Sequence, residues 1–207
     1  LNDTGWEIQP NVLWRNDGPE TDGGWKFTDI SEESGTNIEM EGMGLAIGDY
    51  DLDGHLDMFL TNLGYNVLLK NSGDGITFTD NAEPAGVELN KVGRNPRVAW
   101  GAVSFDYDND MDEDLYVVSG WIKGTPRLTK SEEQPNVLLR NRGDGTFENV
   151  SKGSGSDDAG TGRSGVTLDF NRDGCLDLFV TNYGESAILL QNVCDSENNW
   201  IAIKTVG

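Results

Sequence analysis

The sequence predicts an all-β protein that forms an arc of a β-propeller with about three and a half four-stranded blades. Three observations support this fold class. The 207 residues include 27 glycines and 6 prolines, which indicates a chain rich in turns. No segment shows helix-length apolar periodicity with capping residues. A unit of short apolar strands and turns recurs along the chain, as expected of a repeat architecture.

The most distinctive element of the unit is a nine-residue Asp-rich loop, which occurs at 49–57, 106–114 and 169–177. Each copy follows a short run of glycine with small or apolar residues, and an alternating apolar segment follows each copy. Alternation of apolar and polar residues is typical of a half-buried strand. The loop is therefore predicted to join the first two strands of each repeat.

A second motif, Asn-x-Leu-x-x-Asn, alternates with the first. It occurs at 11–16, 66–71 and 136–141, and in a looser form at 187–192. A Gly-Asp-Gly turn and a short aromatic segment follow the two middle copies. Glycine and aspartate supply the positive φ angles that a tight hairpin needs. The repeat is therefore read as four antiparallel strands, with the Asp loop between the first two.

These repeats predict one domain over 1–207, a single propeller segment. Its predicted parts are the C-terminal half of a blade at 1–41 and blades at 42–96, 97–161 and 162–207. Four to eight blades normally close a ring, so the chain is expected to be an arc of a larger or oligomerically completed propeller. The first residue is not methionine, which fits a processed product, a fragment or an excised domain. A β-solenoid would have much shorter repeats, and a β-sandwich would not repeat in this way.

The Asp loops are predicted to bind about three calcium ions, one in each loop. Alternate side chains of a tight loop can point into one concavity, and the seventh residue can add its carbonyl. Oxygen ligands without a His or Cys side chain favour calcium or magnesium, and a flexible carboxylate cage suits calcium better. The predicted ligands are the side chains of Asp49, Asp51, Asp53 and Asp57 with the carbonyl of His55; the side chains of Asp106, Asp108, Asp110 and Asp114 with the carbonyl of Asp112; and the side chains of Asp169, Asn171, Asp173 and Asp177 with the carbonyl of Cys175. The alternative for any one loop is an Asp-rich turn without metal.

The three loops are not equivalent. The second has Met111 where the others have Gly54 and Gly174, and a left-handed methionine costs about 1–2 kcal/mol. This loop is therefore expected to be distorted or weak. Asn171 leaves the third loop one carboxylate short, so it is expected to hold its ion less tightly. The first loop is then the best formed of the three.

Composition limits the other classes of function. The net charge of −21 disfavours nucleic acid and anionic lipid as partners, and no apolar stretch approaches the roughly 20 residues of a membrane span. Two cysteines and a single histidine argue against zinc and make His-dependent triads hard to build. The Asp clusters are expected to bind metal and no spare paired carboxylates stand out, so the protein is predicted not to be an enzyme. Cys175 and Cys194 lie equally far from the turn at 183–186, which predicts a disulfide across a hairpin in an oxidising compartment. Two unrelated thiols are the alternative.

The loop, the Asn-x-Leu-x-x-Asn motif and Gly-Asp-Gly followed by Phe together resemble FG-GAP/VCBS repeats, whose calcium loop integrin α-subunit propellers share. Residues 162–165, 187–192 and 199–207 are most similar to the last blade of the cartilage acidic protein and ASPIC/UnbV group. This resemblance implies a calcium-loaded propeller for adhesion, matrix contact or assembly, with a protein or glycan partner and no settled catalytic activity. It also implies a secreted, extracellular or cell-surface location, periplasmic in a bacterium. The alternatives are a propeller module of a polysaccharide-active or other extracellular enzyme and a subunit that self-assembles into a homo-oligomer through open blade edges.

Overall fold

The computed structural model describes residues 8–89, 91–93, 95–121, 133–193, 198–201, 203 and 205, and all structural statements concern these residues. They are β-strands joined by turns, with two single-turn helices. The prediction of an all-β protein is thus confirmed. The elements in chain order are β1 (Gln9–Pro10), β2 (Trp14–Pro19), β3 (Trp25–Asp29), α1 (Ser31–Ser34), β4 (Glu39–Met40), β5 (Leu45–Gly48), β6 (Asp57–Leu60), β7 (Val67–Asn71), β8 (Phe78–Asp80), α2 (Ala82–Ala85), β9 (Lys91–Val92), β10 (Asn95–Pro96), β11 (Ala99–Phe105), β12 (Asp114–Ser119), β13 (Val137–Asn141), β14 (Phe147–Asn149), β15 (Gly162–Leu168), β16 (Asp177–Asn182) and β17 (Ile188–Leu190).

The larger sheets are antiparallel meanders in which neighbours in sequence are neighbours in space. Two sheets have four strands, in the orders β5-β6-β7-β8 and β11-β12-β13-β14. A third, β15-β16-β17, has three strands in the described part of the chain, and β2 pairs with β3 as a separate hairpin. Short pairs join β1 to β4 and β9 to β10. In each larger sheet the Asp loop connects the first two strands, as the repeat predicts.

The Gly-Asp-Gly turns have the conformation that their sequence predicts. Gly73 and Gly75, between β7 and β8, have φ angles of 76° and 81°. Gly143 and Gly145, between β13 and β14, have φ angles of 70° and 80°. Residues with a side chain rarely adopt these positive φ angles, so the four positions favour glycine. The turns set the third and fourth strands of both sheets in the same register.

The sheets pack against one another through their first strands. A Cβ atom on Gly44, just before β5, would lie 2.3 Å from the carbonyl oxygen of Trp100 on β11. A Cβ atom on Gly101 would lie 3.1 Å from the Cα atom of Ser164 on β15. Glycine thus permits close backbone contact at both junctions, which is the packing role of the glycines that precede each Asp loop.

The second sheet has a hydrophobic core on each of its two faces. All six residues of β12 are buried. Leu115 and Val117 belong to the core shared with the first sheet, whereas Tyr116 and Val118 belong to the core shared with the third. The period of two residues in a strand places successive side chains on opposite faces. A continuous apolar strand is therefore what a sheet between two neighbours requires.

Apolar side chains are exposed on β5 and on the outer face of the third sheet, whereas Val67 and Leu69 of the first sheet are buried against Met40. Leu45 and Ile47 on β5 are 52% and 54% exposed, and the separate hairpin exposes Trp14 and Trp25. On the third sheet, Val166, Leu168, Phe179 and Leu189 are exposed. Apolar residues thus lie uncovered at both ends of the row of sheets. The described part of the chain contains no candidate membrane-spanning helix, since its two helices have four residues each.

Candidate metal centre

The first residue of each Asp loop fixes the backbone of that loop. Asp49 accepts hydrogen bonds from the backbone nitrogens of Asp53 and Gly54 at 3.0 and 2.9 Å. Asp106 accepts the equivalent bonds from Asp110 and Met111 at 3.1 and 2.9 Å. In the third loop, the corresponding bonds from residues 173 and 174 to the carboxylate of residue 169 are both 3.1 Å. The repeated sequence therefore gives one repeated loop conformation.

The last aspartate of each loop is buried at the start of the second strand. Asp57 accepts hydrogen bonds from the backbone nitrogens of Tyr50 and Asn71 at 3.3 and 2.7 Å. Asp114 and Asp177 make the same two kinds of bond, and both are 0% exposed. This aspartate thus joins its loop to the end of the third strand.

The carboxylates of the first, third and ninth loop residues converge in two of the three loops. One ligand atom from each of Asp49, Asp51 and Asp57 lies within 4.8 Å of the others, and Asp106, Asp108 and Asp114 form the equivalent cluster. The fifth loop residue, predicted to be a further side-chain ligand, uses one oxygen within the loop. The acceptors are Asp53, Asp110 and Asp173, which each bind the backbone nitrogen two residues ahead at 3.0 Å.

The third loop has an amide in place of the second converging carboxylate. Asn171 donates from Nδ2 to Asp173 Oδ2 at 2.6 Å, and its Oδ1 accepts from the backbone nitrogen of Asp173 at 3.2 Å. Among the described residues, three carboxylates therefore do not meet in this loop. Its backbone hydrogen bonds nevertheless match those of the other two.

Burial and repulsion by neighbouring carboxylates raise the pKa of three carboxyls in these clusters, those of Asp57, Asp108 and Asp114. Burial, with repulsion by Asp51 and Asp53, raises the pKa of Asp57 to about 6, although two backbone N–H groups oppose the shift. The pKa of Asp114 is raised to about 7, mainly by burial. That of Asp108 is raised by burial and by its neighbouring carboxylates. The folded loops thus hold carboxylates close together, and the backbone N–H groups that bond to Asp57 and Asp114 only partly offset the effect of burial.

Two carboxylate oxygens in the clusters lack a hydrogen bond. Asp51 Oδ1 and Asp108 Oδ1 are buried and find no donor in the described part of the chain. An unsatisfied buried acceptor is costly, and more so when it carries charge. Both atoms belong to the third loop position, inside the convergent clusters. Oxygen-only donors with an unsatisfied buried member fit a hard divalent cation.

Met111 adopts the left-handed conformation that its position requires. Its φ angle is 78°, against 89° for Gly54 and 91° for Gly174. The second loop keeps the hydrogen-bond pattern of the others, so the expected distortion of this loop is wrong. The strain is instead confined to the φ angle of Met111, whose side chain is 79% exposed. Replacing it removes no buried contact.

We expect the variant Met111→Gly to be more stable than the natural chain by about 1 kcal/mol, since glycine adopts this φ angle without strain. In a chain of this size, Tm should rise by about 2–4 °C in thermal unfolding. The matched control is Gly54→Met in the first loop, where a Cβ atom meets nothing within 4 Å and only the φ angle penalises methionine. Gly54→Met should lower Tm by a similar amount. A fall in Tm for Met111→Gly would show that the methionine side chain contributes a contact.

The side chains at the seventh loop position face the neighbouring turn. His55 Nε2 would lie 3.1 Å from a Cβ atom on Gly73, and Asp112 Oδ2 would lie 2.8 Å from one on Gly143. Cys175, at the third equivalent position, is 1% exposed, and its sulfur accepts a hydrogen bond from Asn109 Nδ2 at 3.4 Å. The carbonyl groups of these residues stay predicted ligands. Cys194 lies outside the described residues, so the disulfide with Cys175 also stays a prediction.

In the second and third repeats, the asparagine at or just beyond the end of the third strand joins its own loop to the loop of the preceding repeat. Asn141 Nδ2 donates to the carbonyl oxygen of Glu113 in its own repeat at 3.1 Å and to that of Tyr50 in the first loop at 2.6 Å. Asn192 Nδ2 donates to the carbonyl oxygen of Tyr107 in the second loop at 2.6 Å. The sequence pattern shows that this asparagine belongs to a repeat but predicts no role for it in the site. The asparagine is the last residue in every copy of the second motif, and this recurrence is the signal that could have indicated a role in the site.

Comparison with known proteins identifies relatives over nearly the whole chain. Cartilage acidic protein 1 of Mus musculus is 27% identical over 205 residues, which cover 95% of this chain and 29% of that protein. The protein of the same name from Homo sapiens is 27% identical, with 95% of this chain and 28% of the relative covered. That of Xenopus tropicalis is 26% identical, with 95% and 29% covered. The chain thus spans less than a third of the length of these relatives.

A family model described as an FG-GAP-like repeat matches residues 49–117 and 106–180. The first match begins at the first Asp loop and extends through the second, and the other begins at the second loop and extends through the third. The two overlapping matches together cover more than half of the chain. The resemblance inferred from the loop motifs is confirmed, and the chain belongs to the FG-GAP-like repeat family.

Proposed function

We propose that the chain is a calcium-binding β-propeller segment that serves extracellular adhesion, matrix contact or assembly without catalysing a reaction. The observation that carries the calcium proposal is the convergence of three carboxylates in each of two loops. In each cluster, one buried oxygen finds no hydrogen-bond donor among the described residues. A bound cation would satisfy that oxygen and remove the repulsion between the carboxylates.

The residues that would hold calcium are those of the three loops. Asp49, Asp51 and Asp57 would bind in the first loop, and Asp106, Asp108 and Asp114 in the second. In the third loop, Asp169 and Asp177 would bind together with the side-chain oxygen of Asn171. The fifth residue of each loop and the carbonyl of the seventh complete the proposed sets. Calcium would supply positive charge and cross-link the loop to the start of the second strand.

The arrangement of the sheets supports a propeller. Successive sheets contact one another through their first strands, and the second sheet is covered on both faces. The outward faces of β5 and β15 present exposed apolar side chains, as the first and last blades of an arc would. We therefore propose blades at 42–96, 97–161 and 162–207, a half blade at 1–41, and further blades or a second copy that complete the ring.

The extracellular role is supported by the relatives whose name is cartilage acidic protein 1, although the chain covers only part of each. The clustered acids are the proposed calcium ligands, and their use as ligands would favour a non-enzymatic module. Protein or glycan partners at the cell surface or in the matrix fit such a module. A glycan array and an array of matrix proteins, probed with and without calcium, would test for partners. Turnover of a polysaccharide in a parallel hydrolase panel would contradict the proposed function.

The calcium proposal is tested by isothermal titration of chelator-treated protein. We expect about three sites for calcium and weaker binding of magnesium, which prefers octahedral geometry and retained water. Asp108→Asn removes one carboxylate from the second cluster and should abolish or greatly weaken one site. Asp74→Asn is the control, because Asp74 lies in a Gly-Asp-Gly turn and bonds to Ile76 and Thr77 instead. If titration of calcium into the natural chain gives no heat of binding, the proposal is contradicted.

A further inference from the structure

We propose that Lys70 is an internal counter-ion of the first Asp loop, where it lowers calcium affinity and limits the stability lost when calcium is removed. The inference rests on the proposed binding of calcium. Lys70 ends the Asn-x-Leu-x-x segment of β7 and precedes Asn71, so it lies on the strand to which Asp57 is hydrogen bonded.

The contact is direct. The Lys70 ammonium forms an ion pair with Asp51 Oδ2 and lies 3.6 Å from Asp53 Oδ2. The Asp51 side chain is only 14% exposed, so this pair is less screened by solvent than an ordinary surface pair. Asp51 also belongs to the convergent cluster of the first loop. The ammonium and a calcium ion would therefore compete for the same carboxylate.

Cross-strand pairing explains why Lys70 reaches the loop. Lys70 on β7 lies opposite Thr79 on β8, which carries no charge. The equivalent residue of the next repeat, Arg140, lies opposite Glu148, and its Nη2 is 3.3 Å from Glu148 Oε2. Opposite charges on directly facing positions of neighbouring strands attract each other. Glu148 thus holds Arg140 on the sheet, whereas nothing on β8 holds Lys70 in the same way.

The three repeats form a natural series at this position. The first has a lysine in contact with the loop carboxylates, the second has an arginine paired with Glu148, and the third has neutral Gln191. In the described residues, no arginine or lysine forms an ion pair with the aspartates of the second cluster. Among the ion pairs of the described residues, those of Lys70 alone involve proposed calcium ligands, and these ligands belong to the first loop.

This charge has opposite effects in the two states of the loop. Without calcium, the ammonium offsets repulsion among Asp49, Asp51, Asp53 and Asp57, which favours the folded loop. With calcium, the ammonium must withdraw or share Asp51 with a divalent cation that repels it. Lys70 therefore makes the first loop less dependent on calcium and weaker in binding it. The first and second loops have equal numbers of proposed carboxylate ligands, and Gly54 makes the first the better formed of the two. Lys70 is expected to lower the calcium affinity of the first loop below that of the second.

The test compares Lys70→Gln with the natural chain by calcium titration and by thermal unfolding in chelator and in calcium. Glutamine occupies the equivalent position in the third repeat, and Lys70 is partly exposed. The substitution should therefore be compatible with the fold of the repeat. We expect one site to bind calcium about five- to tenfold more tightly. In chelator the Tm of Lys70→Gln should be lower than that of the natural chain, and calcium should raise it by more.

Arg140→Gln is the matched control, because it removes a positive charge from the same place in a repeat where Glu148 already binds it. It should leave all calcium affinities within about twofold of the natural values. A second variant, Thr79→Glu, keeps Lys70 and places an acid opposite it, as in the next repeat. In Thr79→Glu, the Lys70 ammonium should pair with the new carboxylate instead of Asp51. One site should therefore bind calcium more tightly than in Thr79→Gln.

The outcomes separate this inference from the proposed function. If the natural chain binds calcium but Lys70→Gln changes no affinity, the role of Lys70 is overturned while calcium binding stands. Equal shifts in Tm for Lys70→Gln in chelator and in calcium would also overturn it, since the lysine would then act without regard to the ion. If the natural chain binds no calcium, both proposals fail together.

Discussion

Removal of calcium is expected to lower the Tm of the chain by about 10–20 °C. An ion that binds only the folded state stabilises it by about 2.7 kcal/mol when its free concentration is 100 times Kd. Two sites loaded to this extent contribute about 5 kcal/mol. For a chain of about 200 residues, each kcal/mol corresponds to a change in Tm of about 2–4 °C. Thermal unfolding followed by circular dichroism, in millimolar calcium and in excess chelator, measures the difference.

The expected cause of this loss is specific to the Asp loops. Without an ion, Asp51 and Asp108 each keep a buried oxygen that has no hydrogen-bond donor in the described chain, and the carboxylates around it repel one another. Magnesium in place of calcium controls for general screening of the acidic surface and should restore only part of the Tm. Asp108→Asn should show a smaller calcium effect than the natural chain. An identical Tm in chelator and in calcium would contradict the proposed sites.

The sequence was sufficient to predict the repeat because that signal is local. The nine-residue loop, the Gly-Asp-Gly turns and the alternating strands each depend on residues close together in the chain, and the structure contains each of them. The convergence of Asp49, Asp51 and Asp57 also follows from spacing within one loop. The positive φ angle of Met111 likewise follows from its alignment with Gly54 and Gly174, although the sequence wrongly predicted that the loop around it would be distorted.

Contacts between distant segments were not predicted. The ion pair of Lys70 with Asp51 depends on the register of β7 and β8, which places neutral Thr79 opposite the lysine. The bond from Asn141 to Tyr50 joins residues 91 positions apart and depends on how two sheets pack. The spacing of residues along the sequence determines neither the register of paired strands nor the packing of one sheet on another. The helices α1 and α2 were missed because each has only four residues, too few for a periodic pattern.

The substitution Asn141→Ala is expected to destabilise the chain by about 3 kcal/mol, because it removes three side-chain hydrogen bonds at a buried position. Asn141 is 2% exposed. Its Nδ2 donates to the carbonyl oxygens of Tyr50 and Glu113, and its Oδ1 accepts from the backbone nitrogen of Gly143 at 3.0 Å. Truncation leaves these three backbone groups without their partner. Tm should fall by about 10 °C in thermal unfolding.

Asn71→Ala separates the bond between repeats from the bonds within one. Asn71 occupies the same place in the preceding repeat, where its Nδ2 donates to the carbonyl oxygen of Leu56 at 3.2 Å and its Oδ1 accepts from the backbone nitrogen of Gly73 at 3.0 Å. No bond to another repeat is present among its described contacts. Asn71 is also less buried, so Asn71→Ala should cost only about 1–2 kcal/mol. Because Tyr50 belongs to the first Asp loop, Asn141→Ala should in addition weaken calcium binding at both the first and second loops, whereas Asn71→Ala should affect the first alone. Equal losses of stability and of affinity in the two variants would show that the bond across the repeats does not couple the loops.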